Sequence, residues 1–196
     1  MLDSAGLEVA VALHLVAPLV GGMLAVGIAI RFGWVRRWGR PIDAGLCWRE
    51  RRLLGANKTW CGLAMFCLGT SLSYAAQAAL LSGAETFVAS GLVRYGAAGN
   101  AGVGLLVGLG AMLSELPDSF AKRRIGIEPG ESGTGPAAAL FHALDQVDVL
   151  AGAWLVLVLF VPVRPAAVLW SLATVFVAHQ LLTRAGYALG MRATPR

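Results

Sequence analysis

Asp145 and Asp148 stand three residues apart in HALDQVDVLAGA. On a helix they share a face, with about 5–6 Å between Cβ atoms, and His142 lies one turn earlier on that face. Two carboxylates so close repel each other unless a cation lies between them, either a protein ammonium or guanidinium or a hard divalent ion such as Mg2+. Glu115 and Asp118 repeat the spacing in SELPDSFAKRR, and Lys122, Arg123 and Arg124 follow directly. Acids that can hold a metal, beside cations that can hold an anion, are what a nucleoside triphosphate with Mg2+ requires. A third polar stretch, GANKTWCG, adds Asn57, Lys58 and Thr59.

Each of these groups also has a purely structural explanation. KRR after an apolar run is where membrane topology places cations. Asp145 and Asp148 suit a helix N-terminus, Lys58 can snorkel, and Asn57 or Thr59 can cap a helix. What favours chemistry is that all three stretches fall on the same side of the apolar segments.

Those segments dominate the chain. Of its 196 residues 57% are hydrophobic and 14% charged, and the mean hydropathy is +0.69. One soluble core cannot hide so much apolar surface, so lipid is the natural solvent. A bilayer core of about 30 Å needs roughly 20 apolar residues per helix. Five segments qualify, at about 7–30, 59–81, 101–116, 147–161 and 166–182, the third and fourth being short. The expectation is an all-α integral membrane protein with a single transmembrane domain over 1–196. Asp3 and Glu8, with no cation before the first apolar run, argue against a cleaved leader, so that run is expected to remain as a span.

Fourteen of the sixteen Lys and Arg lie in 31–58, in 122–124 or from Arg184 onward, while Arg94 and Arg164 lie on the other side. Cations mark the cytoplasmic face, so the N-terminus is expected outside and the C-terminus inside, with cytoplasmic loops at 31–58 and 117–146. This pattern of cations between apolar runs is topological and excludes nucleic acid as the partner. Pro117 should kink or end the third helix and so help line a polar cavity. Glycines 102, 104, 108 and 110 in GVGLLVGLG suit close helix packing, and no GxxxxGK[ST] phosphate loop follows them. PVRP separates the last two spans, and GIEPGESGTGPAAA reads as a flexible connector. Cys47, Cys61 and Cys67 form no CxxC and imply neither a disulfide nor a zinc site.

GANKTWCG, ELPDSFAKRRIGIEPG and LDQVDVLAGA, in this order and between these spans, resemble the CDP-archaeol synthase family, relatives of the phosphatidate cytidylyltransferases. The resemblance covers roughly 55–153, and the five-span layout extends it to most of the chain. Archaeal members typically show Gly-Asp where this chain has Ser114-Glu115, and the E-L-P form resembles bacterial relatives, which leaves the lipid open.

The resemblance implies that CTP and a membrane lipid phosphate give a CDP-lipid and pyrophosphate with Mg2+, at the inner cell membrane. It implies that Asp145 and Asp148, with Glu115 or Asp118, hold the metal, and that Lys122, Arg123, Arg124 and Lys58 hold phosphates. Asn57, Thr59 and Ser119 would hydrogen-bond phosphate or ribose. The catalytic group would be Asp145, Asp148 and Lys122. A CTP-dependent polyprenol kinase and a non-enzymatic transporter or scaffold are the competing readings, and a homodimer is compatible with the sequence.

Overall fold

The computed structural model describes residues 3–128 and 135–188. Eight α-helices account for most of them: α1 (Ser4–Val16), α2 (Pro18–Arg31), α3 (Trp34–Trp38), α4 (Trp60–Leu81), α5 (Glu85–Ala89), α6 (Gly96–Arg124), α7 (Gly135–Leu157) and α8 (Pro165–Ala188). A 3-10 turn, Leu92–Tyr95, leads into α6. Two short antiparallel strands, β1 (Cys47–Trp48) and β2 (Arg51–Arg52), form a hairpin with Cys47 opposite Arg52.

Among the described residues, length and apolarity make three helical stretches long enough to cross a bilayer: Ser4–Arg31, Trp60–Leu81 and Leu92–Arg124. Shorter apolar helices run over Val147–Leu157 and Pro165–Ala178. The first apolar segment is expected as one helix, and it divides at Pro18, which lacks the N–H to continue the ladder and starts α2 as its first residue. Asp3 caps α1 by accepting from the Gly6 amide at 2.8 Å, and Thr59 caps α4 by accepting from the Gly62 amide at 3.1 Å.

The helices form a row in which α4 packs between α2 and α6, and α6 packs between α4 and α7, while α8 lies along α1. Small residues bring the row together. A Cβ on Gly104 would come within 2.8 Å of the Ser71 Cα, and one on Gly108 within 3.0 Å of the Cys67 Cα, so both positions need glycine for α4 to approach. Gly110 and Gly152 play the same part between α6 and α7, where each would drive a Cβ into the other's carbonyl. Gly102 faces open space and serves no such contact. The core is continuous from Leu15 and Leu19 through Phe66 and Tyr74 to Val107, Leu150 and Leu157.

Three expectations are corrected. Pro117 does not end its helix: α6 runs unbroken to Arg124. A proline loses its own bond to the carbonyl four residues back and crowds that carbonyl, which bends a helix without having to end it. The next turn is held by the Asp118–Lys122 pair at 2.7 Å and by Arg124, which is anchored on the hairpin. The loop expected over 117–146 is therefore helical at both ends, with α7 opening at Gly135–Pro136 and taking proline early in its first turn. The third span is longer than 101–116 because polar residues continue the helix beyond its apolar part. PVRP does separate two helices, with α8 beginning at Pro165.

Candidate active site

Acids and cations meet at the end of the bundle where α6 finishes. Glu115, Asp118 and Lys122 follow one another at three and four residues along α6 and so share a face. Lys58 arrives from the connection between α2 and α4, and its ammonium pairs with the Glu115 carboxylate, both side chains being about four-fifths buried. Asp118 and Lys122 pair at 2.7 Å with side-chain exposures of 7% and 13%, so each charge is compensated where water is scarce. The Lys122 ammonium also lies 5.7 Å from the centre of the Phe141 ring on α7.

From α7 comes Asp148. Its carbonyl accepts from the Ser114 hydroxyl at 2.6 Å, which ties it to the residue just before Glu115, and its Oδ1 accepts from the Val149 amide at 2.6 Å. Asp145 lies on α7 in the preceding turn. The side chains of Asp145 and His142 lie outside the described residues. Among the described residues no group of three or more His, Cys, Asp or Glu is gathered for a metal.

The other expected site residues divide by position. Ser119 is buried within α6. Arg123 is buried as well and donates to the Ile127 carbonyl. Arg124 turns away from Glu115 toward the hairpin, where it donates to the carbonyls of Trp48 at 2.5 Å, Arg51 at 3.1 Å and Arg52 at 2.6 Å. Trp48 stacks on Phe120 with ring centroids 5.8 Å apart, and the Arg124 guanidinium lies beside both, 5.6 and 5.0 Å from the ring centres. Arg51 reciprocates by donating to the carbonyls of Arg123 and Arg124 at 3.3 and 3.2 Å. The pair clamps the first connection to the end of α6. Thr59 is the α4 cap, and Asn57 is exposed and lines a separate cleft.

A second device holds Lys58 in place. Asp43 is buried and accepts from the amides of Gly45, Leu54 and Gly55 at 3.0, 3.2 and 3.2 Å and from Arg52 at 2.7 Å. Burial acts to raise its pKa, yet the amides and the guanidinium together outweigh it and hold the carboxyl below the usual carboxylate range. Gly55 then leads to Lys58, whose amide donates back to the Gly55 carbonyl at 3.3 Å.

Ser114, Arg51 and Asp43 were not singled out from the sequence. Ser114 had a usable signal, because a small hydroxyl residue inside a glycine-rich helix marks a close crossing. Arg51 and Asp43 had none, since their partners are backbone groups dozens of residues away or created by the hairpin itself.

With this geometry the chain can be set beside known proteins. Residues 12–195 match the CarS-like family model, CDP-archaeol synthase. A CDP-archaeol synthase of Methanosphaerula palustris is 32% identical over 164 residues, covering 80% of this chain and 90% of that one. One of Methanopyrus kandleri is 38% identical over 160 residues, covering 80% of each. A solved structure described as an intramembrane enzyme for archaeal membrane lipids biosynthesis superposes with a TM-score of 0.55 at 30% identity, covering 85% of this chain and 91% of its own. The chain belongs to the CDP-archaeol synthase family.

Proposed function

We propose that the charged end of α6 and α7 is where this membrane enzyme joins CTP to a lipid phosphate. The protein is a CTP-dependent nucleotidyltransferase that forms a CDP-activated lipid. An oxygen of the lipid phosphate attacks the α-phosphorus of CTP, a P–O bond forms to the lipid, and the bond to pyrophosphate breaks. A phosphomonoester has a second pKa near ~6 and is largely dianionic at neutral pH, so no protein base is needed to activate it. The obstacle is repulsion between two anions, which positioned cations remove.

Lys58 and Lys122 supply those cations. Each is held within the site by a carboxylate, Lys58 by Glu115 and Lys122 by Asp118, so neither ammonium has to be ordered when a phosphate arrives. The acids are all carboxylate oxygens, a donor set that suits a hard divalent ion. Asp145 and Asp148, with Glu115 or Asp118, would hold Mg2+, which when bound supplies charge neutralisation at the phosphate oxygens. Ser119 remains a candidate for phosphate or ribose, and Arg123 and Arg124 act by holding the backbone around the site. The stretches 31–58 and 117–146 would face the cytoplasm of a cell whose inner membrane holds the protein, so that CTP enters from water and the lipid from the bilayer.

The observation that carries this reading is the Lys58–Glu115 pair together with the Ser114–Asp148 bond, because they join three sequence-distant polar stretches at one end of the bundle. The test is to incubate purified protein with CTP, Mg2+ and a panel of diether and diacyl lipid phosphates. Pyrophosphate release with a CDP-lipid product is expected, and release of CDP alone would contradict the reading.

A further inference from the structure

The nine residues after Arg31 include Phe32, Trp34, Arg36, Arg37, Trp38 and Arg40. Phe32, Trp34 and Trp38 are 69%, 37% and 60% exposed. They form a run of rings, Phe32 stacked on Trp34 with centroids 6.0 Å apart and Trp34 beside Trp38 at 6.2 Å, with the Arg37 guanidinium 5.7 Å from the Trp38 ring. Water is a poor solvent for such a run, and hydrocarbon is poor for the arginines between its members. Trp beside Arg at the end of an apolar helix is stable at headgroup depth.

Behind the rings is a cleft of about 720 Å3 lined by Arg31, Arg36, Gly33, Gly39, Pro41 and Asn57. Neither Arg31 nor Arg36 makes an ion pair with a described residue. Only two acids lie in the connection: Asp43, committed to Arg52 and three amides, and Glu50, in the hairpin turn. Among the described residues, then, no acid of this connection compensates the positive charge of the cleft. Asn57 and Thr59 both line it, while the ammonium of the residue between them, Lys58, turns the other way to Glu115, so the cleft lies apart from the lysine–carboxylate pairs.

We propose that this cleft binds the phosphate headgroup of an anionic membrane phospholipid, with the Phe32–Trp38 rings seated in the interface beside it. The occupant is a lipid and not a free anion because the exposed rings place the cleft at the membrane surface. Basic residues there are drawn to anionic lipid. The lipid is a fixed companion of the protein and not its substrate, and the proposal stands apart from the reading of the reaction.

The test uses full-length protein in nanodiscs of phosphatidylcholine alone or with one-third phosphatidylglycerol, and counts retained lipids by native mass spectrometry. Phosphatidylglycerol should be retained over phosphatidylcholine. Arg31→Gln with Arg36→Gln should weaken that retention by roughly an order of magnitude or more, with helix content unchanged. If the double variant fails to fold, the single variants, each at an exposed side chain, give the same comparison. Equal retention of the two lipids, retention unaffected by the substitutions, or displacement by inorganic phosphate would overturn the proposal. Displacement by the lipid phosphate that the enzyme consumes would overturn it too, because the cleft would then belong to the reaction.

Discussion

At the end of the bundle where α1 begins, Glu8 pairs with Arg164 at 3.0 Å, His14 bonds to Thr86 at 2.9 Å and Gln77 at 3.0 Å, and Tyr95 donates to the Phe160 carbonyl at 2.7 Å. Each of these contacts ties one turn or helix end to another. At the opposite end Arg124, Arg51 and Asp43 do the same for the hairpin, but two lysine–carboxylate pairs and the Asp148 carboxylate lie beside them. Those pairs exceed what fastening requires. Glu115, Asp118 and Lys122 already belong to one helix, and Lys58 follows a connection that is clamped twice over. Charge that closes a fold comes as single contacts between elements, whereas charge kept for a ligand accumulates on one face.

The largest effect expected from this contrast is on turnover. Asp148→Asn keeps the shape of the side chain and removes its charge, so pyrophosphate release should fall by roughly 10²–10³-fold, with the melting temperature within a few degrees of the parent. Lys58→Ala should lower CTP use on a similar scale, and Arg164→Gln at the other end should leave turnover intact. Equal losses from Arg164→Gln and Asp148→Asn would erase the contrast.

Next in size is the clamp. Arg124→Gln removes three carbonyl contacts and the cation–ring contacts with Trp48 and Phe120. Amide exchange over 46–53 should quicken, and kcat/KM should drop about tenfold, as expected when a positioning contact is lost. An activity loss without faster exchange would mean that Arg124 touches substrate directly. Arg164→Gln should cost up to about 1 kcal/mol of stability, since the Glu8–Arg164 pair is partly exposed, which a thermal melt reads.

The smallest effect is acid-dependent. Folding holds the Asp43 carboxyl below its ordinary value of 3.8, so its contribution is complete above that value and is lost as pH falls through the lower folded value. Melting followed from neutral pH to below 3.8 should show a steeper acid loss for the parent than for Asp43→Asn. Parallel curves would remove Asp43 as the anchor of the connection.

How far the sequence revealed this molecule depended on the range of the interaction. Apolar runs and PVRP are local signals, and helices stand where they fall. The glycines at 104 and 108 announced a close crossing, though not that α4 would be the partner. The continuation through Pro117 was hidden because it depends on the Asp118–Lys122 pair and on a hairpin more than sixty residues earlier. Lys58 and Glu115 were each visible as polar residues beside a span, but their pairing follows from the α4–α6 crossing. Arg124 looked like a phosphate ligand because its neighbours in KRR set that expectation, and only the fold shows that its fork is filled by carbonyls.

The central claim is that the charged end of α6 and α7 transfers a cytidylyl group to a lipid phosphate. Tracking label from the α- and γ-phosphates of CTP, with the parent and Asp148→Asn side by side, tests it most directly. The α-label should enter the lipid, the γ-label should leave as pyrophosphate, and both should nearly vanish in a variant that still melts normally. Entry of the γ-label into lipid, or undiminished α-label transfer by Asp148→Asn, would contradict the account.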